Sequence, residues 1–146
     1  MSEGSSIHLP DQHARDSALD IGHSFIVQAP AGSGKTELLT MRFLKLLAMA
    51  SQPEEVLAIT FTKKAASEMR DRIIRILNWC RSFDYSDSQL SAIEAARLSI
   101  GCSVLERDDS QNWRLLQSPS RLRVQTIDSF CLYLAKQLPT LSQIGG

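Results

Sequence analysis

The sequence predicts an α/β protein, a parallel sheet flanked by helices with a mostly helical insertion. Three observations carry this. Val56-Leu57-Ala58-Ile59-Thr60-Phe61 is a continuous apolar run, as in a parallel strand covered on both faces. Phe25-Ile26-Val27 is a shorter apolar run leading through small residues into a helical pattern. Strand-like runs then alternate with helical ones in the order β-α-β-α, insertion, β-α, which favours parallel pairing. The 146 residues amount to one domain.

Taken in order, residues 1–10 read as a flexible start. Asp11 to Leu19 has helical character, with Asp11 as N-cap and Ala14 and Ala18 on one face. Ser24 to Gln28 reads as the first strand. Lys35 to Ala50 reads as a helix whose apolar residues (Leu38, Leu39, Met41, Phe43, Leu46, Leu47) suit packing on a sheet, and Ser51 to Glu55 as a turn. The apolar strand 56–61 follows. Lys63 to Cys80 is a helix with the stripe Ala66, Met69, Ile73, Ile76 and Leu77, and with Arg70, Arg72 and Arg75 as a solvated face. Residues 81–120 read as the insertion, helical over Gln89 to Leu98 and in a short piece over Asn112 to Gln117, with a turn at Ser118-Pro119-Ser120. Arg121 to Thr126 reads as the third strand. Ile127 to Leu138 reads as the last helix, capped by Asp128 or Thr126. The tail 139–146 has no closing logic and reads as a truncated end to a partial domain over 11–138.

Composition narrows the function classes. Lys+Arg and Asp+Glu both number 16, so any basic surface must be local. The three cysteines, Cys80, Cys102 and Cys131, show neither CxxC nor metal spacing and read as reduced thiols. No basic-then-apolar leader opens the chain, and no apolar run approaches the roughly 20 residues of a membrane span. A soluble cytoplasmic protein with no membrane partner is the expectation.

Ala29-Pro30-Ala31-Gly32-Ser33-Gly34-Lys35-Thr36 reads as a phosphate-binding loop, the Walker A pattern, between a strand and a helix. Glycines let the backbone curl around phosphate oxygens, and N–H groups at the helix start face the anion. Lys35 supplies a charge for the outer phosphates and Thr36 a hydroxyl for Mg²⁺. Ala29 stands where the strict pattern has glycine. A second candidate is Thr60-Phe61-Thr62, where a strand end meets a helix start. Hydroxyls, an aromatic ring and helix amides suit a nucleic-acid backbone and an unstacked base, although ordinary capping and a core phenylalanine explain the same residues.

These segments together resemble a known family. Thr60-Phe61-Thr62 with Lys64-Ala65-Ala66 and Glu68-Met69 is similar to motif Ia of superfamily 1 DNA helicases of the UvrD/Rep type. Val124-Gln125-Thr126-Ile127-Asp128-Ser129-Phe130-Cys131 resembles their motif Ib, with Asp128 where the family has histidine. Gln12 sits where the family has its Q motif. The resemblance covers about residues 11–138, and the long spacing between the two motifs is similar to the AddA/RecB helicase-nuclease branch. It implies a P-loop, RecA-like fold, here incomplete. It implies ATP with Mg²⁺ as cofactors, held by Ala29 through Thr36, with Gln12 reading the adenine. It implies DNA contacts from Thr60, Phe61, Thr62, Thr126 and Ser129, and from Phe130 if that ring does not pack in the core. It also implies ATP-driven 3′→5′ movement on DNA in repair or recombination, and in this branch room for an AddB-like partner.

Hydrolysis in such enzymes needs an acid pair at the end of a further strand. No apolar strand followed by Asp-Glu occurs, and Asp108-Asp109 reads as a loop. The chain therefore reads as a first part of a helicase that binds nucleotide without efficient turnover. Two other readings stand beside it: a P-loop small-molecule kinase, which leaves the threonine-rich motifs unexplained, and a stand-alone, non-catalytic nucleotide-binding module.

Overall fold

The computed structural model describes residues 12–32, 34–86 and 89–138. Its elements are α1 (Gln12–Ala18), α2 (Lys35–Leu47), β1 (Leu57–Thr60), α3 (Lys63–Arg81), α4 (Ala92–Gln111), β2 (Arg123–Thr126) and α5 (Ile127–Gln137), with short 3₁₀ turns at Pro53–Glu55 and Pro119–Arg121. The fold is α/β, mostly helical, around one small parallel sheet.

β1 and β2 pair in parallel, with Leu57 opposite Arg123 and Thr60 opposite Thr126. Alternation puts Ala58, Thr60, Val124 and Thr126 on the face that α3 covers. Leu57, Ile59, Arg123 and Gln125 share the other face, where Leu57 and Ile59 are exposed. The expected burial of this strand on both faces is therefore corrected. A single neighbouring strand and the half-exposed α5 do not cover the second face. The Arg123 guanidinium lies 4.1 Å from the centre of the Tyr133 ring of α5.

The predicted strand at Ser24 to Gln28 is also corrected. Among the described residues it joins no ladder, and Ile26 is 91 % exposed. An apolar run becomes a strand only where another backbone takes up its N–H and C=O groups.

α3 begins where the side chain of Thr62 accepts a hydrogen bond from Ala65 N at 3.1 Å. Its predicted stripe, Ala66, Met69, Ile73, Ile76 and Leu77, is buried and extends to Cys80. Arg70 and Arg72 are not the solvated face expected. Arg70 donates to the Val124 carbonyl at 2.5 Å, and Arg72 reaches Glu37 at 3.0 Å. α4 starts with a reciprocal Ser91–Glu94 capping box. It runs well past the predicted Leu98, because Leu98, Gly101, Val104, Leu105 and Asp108 are buried against neighbouring helices. Asp108-Asp109 is thus helical rather than a loop. The predicted short helix at 112–117 is absent: Asn112 (φ 53°) and Arg114 (φ 60°) are left-handed, which an α-helix excludes. α5 is capped by Thr126, not Asp128, through Ser129 N at 3.2 Å.

The core is a three-helix contact, α2 against α3 and α4, closed by Val56, Trp113, Leu115, Leu122 and Val124. Trp113 is buried and Trp79 packs edge-on to Phe83, as expected of packing residues. No helix among the described residues is long and apolar enough to cross a membrane. Asp11 as a cap, Ser33, the start at 1–10 and the tail at 139–146 lie outside the described residues.

Candidate nucleotide and nucleic-acid site

Gly32 (φ 80°) and Gly34 (φ 87°) are both left-handed, a conformation that side chains with a Cβ resist. Gly34 is the N-cap of α2 and offers no side-chain acceptor, so the first N–H groups of the helix keep their donor capacity. Those groups and the positive end of the helix dipole make an anion-ready surface. Leu38 N donates to Gly34 O at 3.0 Å, which starts the helix, and Thr40 Oγ1 donates to Thr36 O at 2.7 Å.

A cavity of about 370 Å³ lies between α1, residues 25–29 and the start of α2, and Ala29, Gly34 and Lys35 line it together. Pro30, Ala31, Gly32 and Thr36 are exposed at its mouth side of the chain. The Thr36 hydroxyl forms no hydrogen bond among the described residues. A free hydroxyl in the first turn of an anion-ready helix fits Mg²⁺, which takes few protein ligands and the rest from phosphates and water.

Gln12 does not join this cavity. It lines a neighbouring groove of about 490 Å³ with Glu37, Met41 and Ile93, and its amide donates to Asp16 at 2.9 Å. The approach to the loop is pinned by Arg42 of α2, which donates to the carbonyls of Ala18 (2.7 Å), Asp20 (2.8 Å) and His23 (2.6 Å). Sequence reasoning missed Arg42, since its partners lie some twenty positions upstream. The only signal was a basic residue on a largely apolar helix.

Glu37, beside Thr36, was also missed. It receives Arg72 of α3 at 3.0 Å and Arg97 of α4 at 2.6 Å. Partial burial alone would raise its carboxyl, but the hydrogen bonds from Arg97 and Arg72 outweigh that and hold it below its ordinary value.

The nucleic-acid candidates gather at one end of the sheet. Thr60 and Thr126 are level in the register, and α3 and α5 both start beyond them. In open α/β sheets this carboxyl end is where ligands bind. Phe61 is 93 % exposed, so it is not a core residue. Thr60 Oγ1 donates to Thr62 O at 3.0 Å. Thr126 is 6 % exposed, and its hydroxyl donates to Ser129 Oγ at 2.9 Å while capping α5. Phe130 is half-buried and stands outside the main core. The segment carrying the phosphate loop is not in the sheet, so no strand register links the two groups of residues.

Comparison with known proteins gives the following. Residues 11–144 match the family model of the UvrD/REP helicase N-terminal domain. An ATP-dependent helicase/nuclease from Lactobacillus helveticus is 41% identical over 85 residues, covering 55% of this chain and 7% of that protein. The protein of the same name from Lactobacillus acidophilus is 33% identical over 118 residues, 81% of this chain and 8% of its own length. ATP-dependent DNA helicase UvrD1 from Mycobacterium tuberculosis is 35% identical over 117 residues, 73% of this chain and 15% of its own. The chain thus spans only a small part of these relatives. No solved structure matches it.

Proposed function

We propose that this chain, which belongs to the UvrD/REP helicase N-terminal domain family, holds ATP and part of the DNA track of an ATP-dependent DNA helicase. One observation carries the reading most: the left-handed Gly32 and Gly34 open an uncapped helix start beside Lys35, in a chain whose relatives are named ATP-dependent helicases.

In this reading residues 11–138 form a partial RecA-like domain. Ala29 through Thr36, Ser33 included, cradle the triphosphate, with Lys35 on the outer phosphates. Thr36 holds the Mg²⁺ that enters with ATP and neutralises phosphate charge. Gln12 reads the adenine edge after releasing Asp16. Thr60, Phe61 and Thr62 meet single-stranded DNA, with Phe61 as the stacking platform. Thr126 and Ser129 act at the same sheet end, chiefly by aiming the amides of α5. The parent activity is ATP-driven 3′→5′ translocation in cytoplasmic DNA repair, in the helicase-nuclease branch with an AddB-like partner.

On its own the chain binds nucleotide without efficient hydrolysis. Asp108 is unsuited to the missing acid pair, because it sits in α4 and accepts from Leu115 N at 3.0 Å. Titration of a fluorescent ATP analogue tests the reading: Lys35→Ala abolishes binding. Unchanged affinity in that variant overturns the phosphate-loop assignment. DNA-stimulated ATP turnover by residues 1–146 overturns the low-hydrolysis reading.

A further inference from the structure

We propose that Arg15 is a phosphate-binding residue of the nucleotide site, a second cation brought to the loop by α1; this rests on the nucleotide reading above. Arg15 and Lys35 line the same cavity of about 370 Å³ from two different helices, and no carboxylate lines it among the described residues. The Arg15 head lies over the loop. A Cβ on Gly34 would sit 3.0 Å from Arg15 Nη1 and 3.8 Å from both Cζ and Nη2. Gly34 is the uncapped start of α2, so a guanidinium, an ammonium and a helix N-terminus converge on one space.

Such an arrangement favours an anion of high charge density. Lys35 acts as a point charge, whereas a guanidinium presents a planar fork that meets two oxygens of one phosphate. The ligand class that fits is a nucleoside di- or triphosphate rather than a nucleoside. Gln12 and Arg15 are three positions apart on α1 and both line the neighbouring groove. One turn of helix therefore offers an amide toward that groove and a guanidinium toward the loop. The glycine at 34 gains a second reason: besides its left-handed backbone, any side chain there would displace Arg15.

The test uses the full chain and three ligands, ATP, ADP and adenosine, with Arg15→Gln, Arg15→Lys and Lys35→Ala. Arg15→Gln keeps most of the side-chain stem, and circular dichroism melting checks that it folds. The expected result is that Arg15→Gln weakens ATP and ADP by about tenfold, as loss of a charge-assisted pair implies. Adenosine binding is unchanged, the salt dependence of ATP binding is shallower, and Arg15→Lys is intermediate. Unchanged ATP and ADP affinity in Arg15→Gln, with binding lost in Lys35→Ala, overturns the Arg15 assignment and leaves the loop reading standing. Equal weakening of adenosine and ATP also overturns it, because Arg15 then only shapes α1. Binding unaffected by Lys35→Ala overturns the nucleotide reading itself.

Discussion

Arg97 Nη2 donates to Glu37 Oε1 at 2.6 Å, joining the insertion to the third residue of the helix that follows the phosphate loop. Arg72 holds the other carboxylate oxygen at 3.0 Å, so one side chain ties α2, α3 and α4 together. The DNA-candidate helix and the loop helix are thus joined through a single acid.

That acid gives stability a pH dependence. The folded carboxyl is held below its ordinary value of 4.5. A lowered folded value adds stability that is present above the unfolded value and is lost as pH falls through the folded one. Urea denaturation should therefore show stability falling below about pH 4.5, and Glu37→Gln should remove part of that slope. At pH 7 the same variant should cost about 1–2 kcal/mol. Parallel acid slopes in the two proteins would refute the assignment.

Gly101 is where α3 and α4 approach most tightly. A Cβ there would lie 2.3 Å from Cys80 Sγ and 3.4 Å from Cys80 Cβ. Gly101→Ala should destabilise by about 1–3 kcal/mol through overpacking. Adding Cys80→Ala removes the clashing sulfur, so the double variant should be less destabilised than the two single costs summed. Strict additivity in a denaturation cycle would show that the two positions do not meet.

The thiols should differ sharply in reactivity. Burial, with Cys102 adding to it, pushes the Cys80 thiol up to about 11, whereas Cys131 is exposed. At pH 8 a chromogenic disulfide reagent should label Cys131 promptly and Cys80 only on unfolding. Mass mapping of the labelled peptides checks this, and early labelling of Cys80 would contradict its burial.

Phe61 should separate binding from folding. With its ring almost wholly exposed, Phe61→Ala should leave the melting temperature unchanged. Loss of one stacked base should weaken binding of an oligothymidine by about 5- to 100-fold, measured by fluorescence anisotropy. Undiminished binding would remove Phe61 from the DNA track.

Much of the helical architecture was legible because its signals are local. Thr62 and Thr126 cap the helices that follow them, and the stripe of α3 repeats at helical spacing. α4 was half-read: the charged run from Glu106 to Asp109 looks like a loop until Asp108 is seen accepting Leu115 N and facing Arg81 at 3.7 Å. The run 24–28 misled because apolar character speaks for burial, while a strand also needs a partner. At the candidate site the loop glycines were legible from type and spacing. Glu37, Arg15 and Arg42 were not, because their geometry depends on contacts between helices that periodicity does not report.

The level pairing of Thr60 with Thr126 works as a gauge. Both strands end at the same height, so the starts of α3 and α5 are held side by side, about 4.8 Å apart in the pairing direction. A slip of one residue would lift one helix start by about 3.3 Å and turn its strand's side chains over. Whatever lies across that end of the sheet meets two helix starts whose spacing is set by hydrogen bonds between backbones, and side-chain substitution alone leaves that spacing untouched.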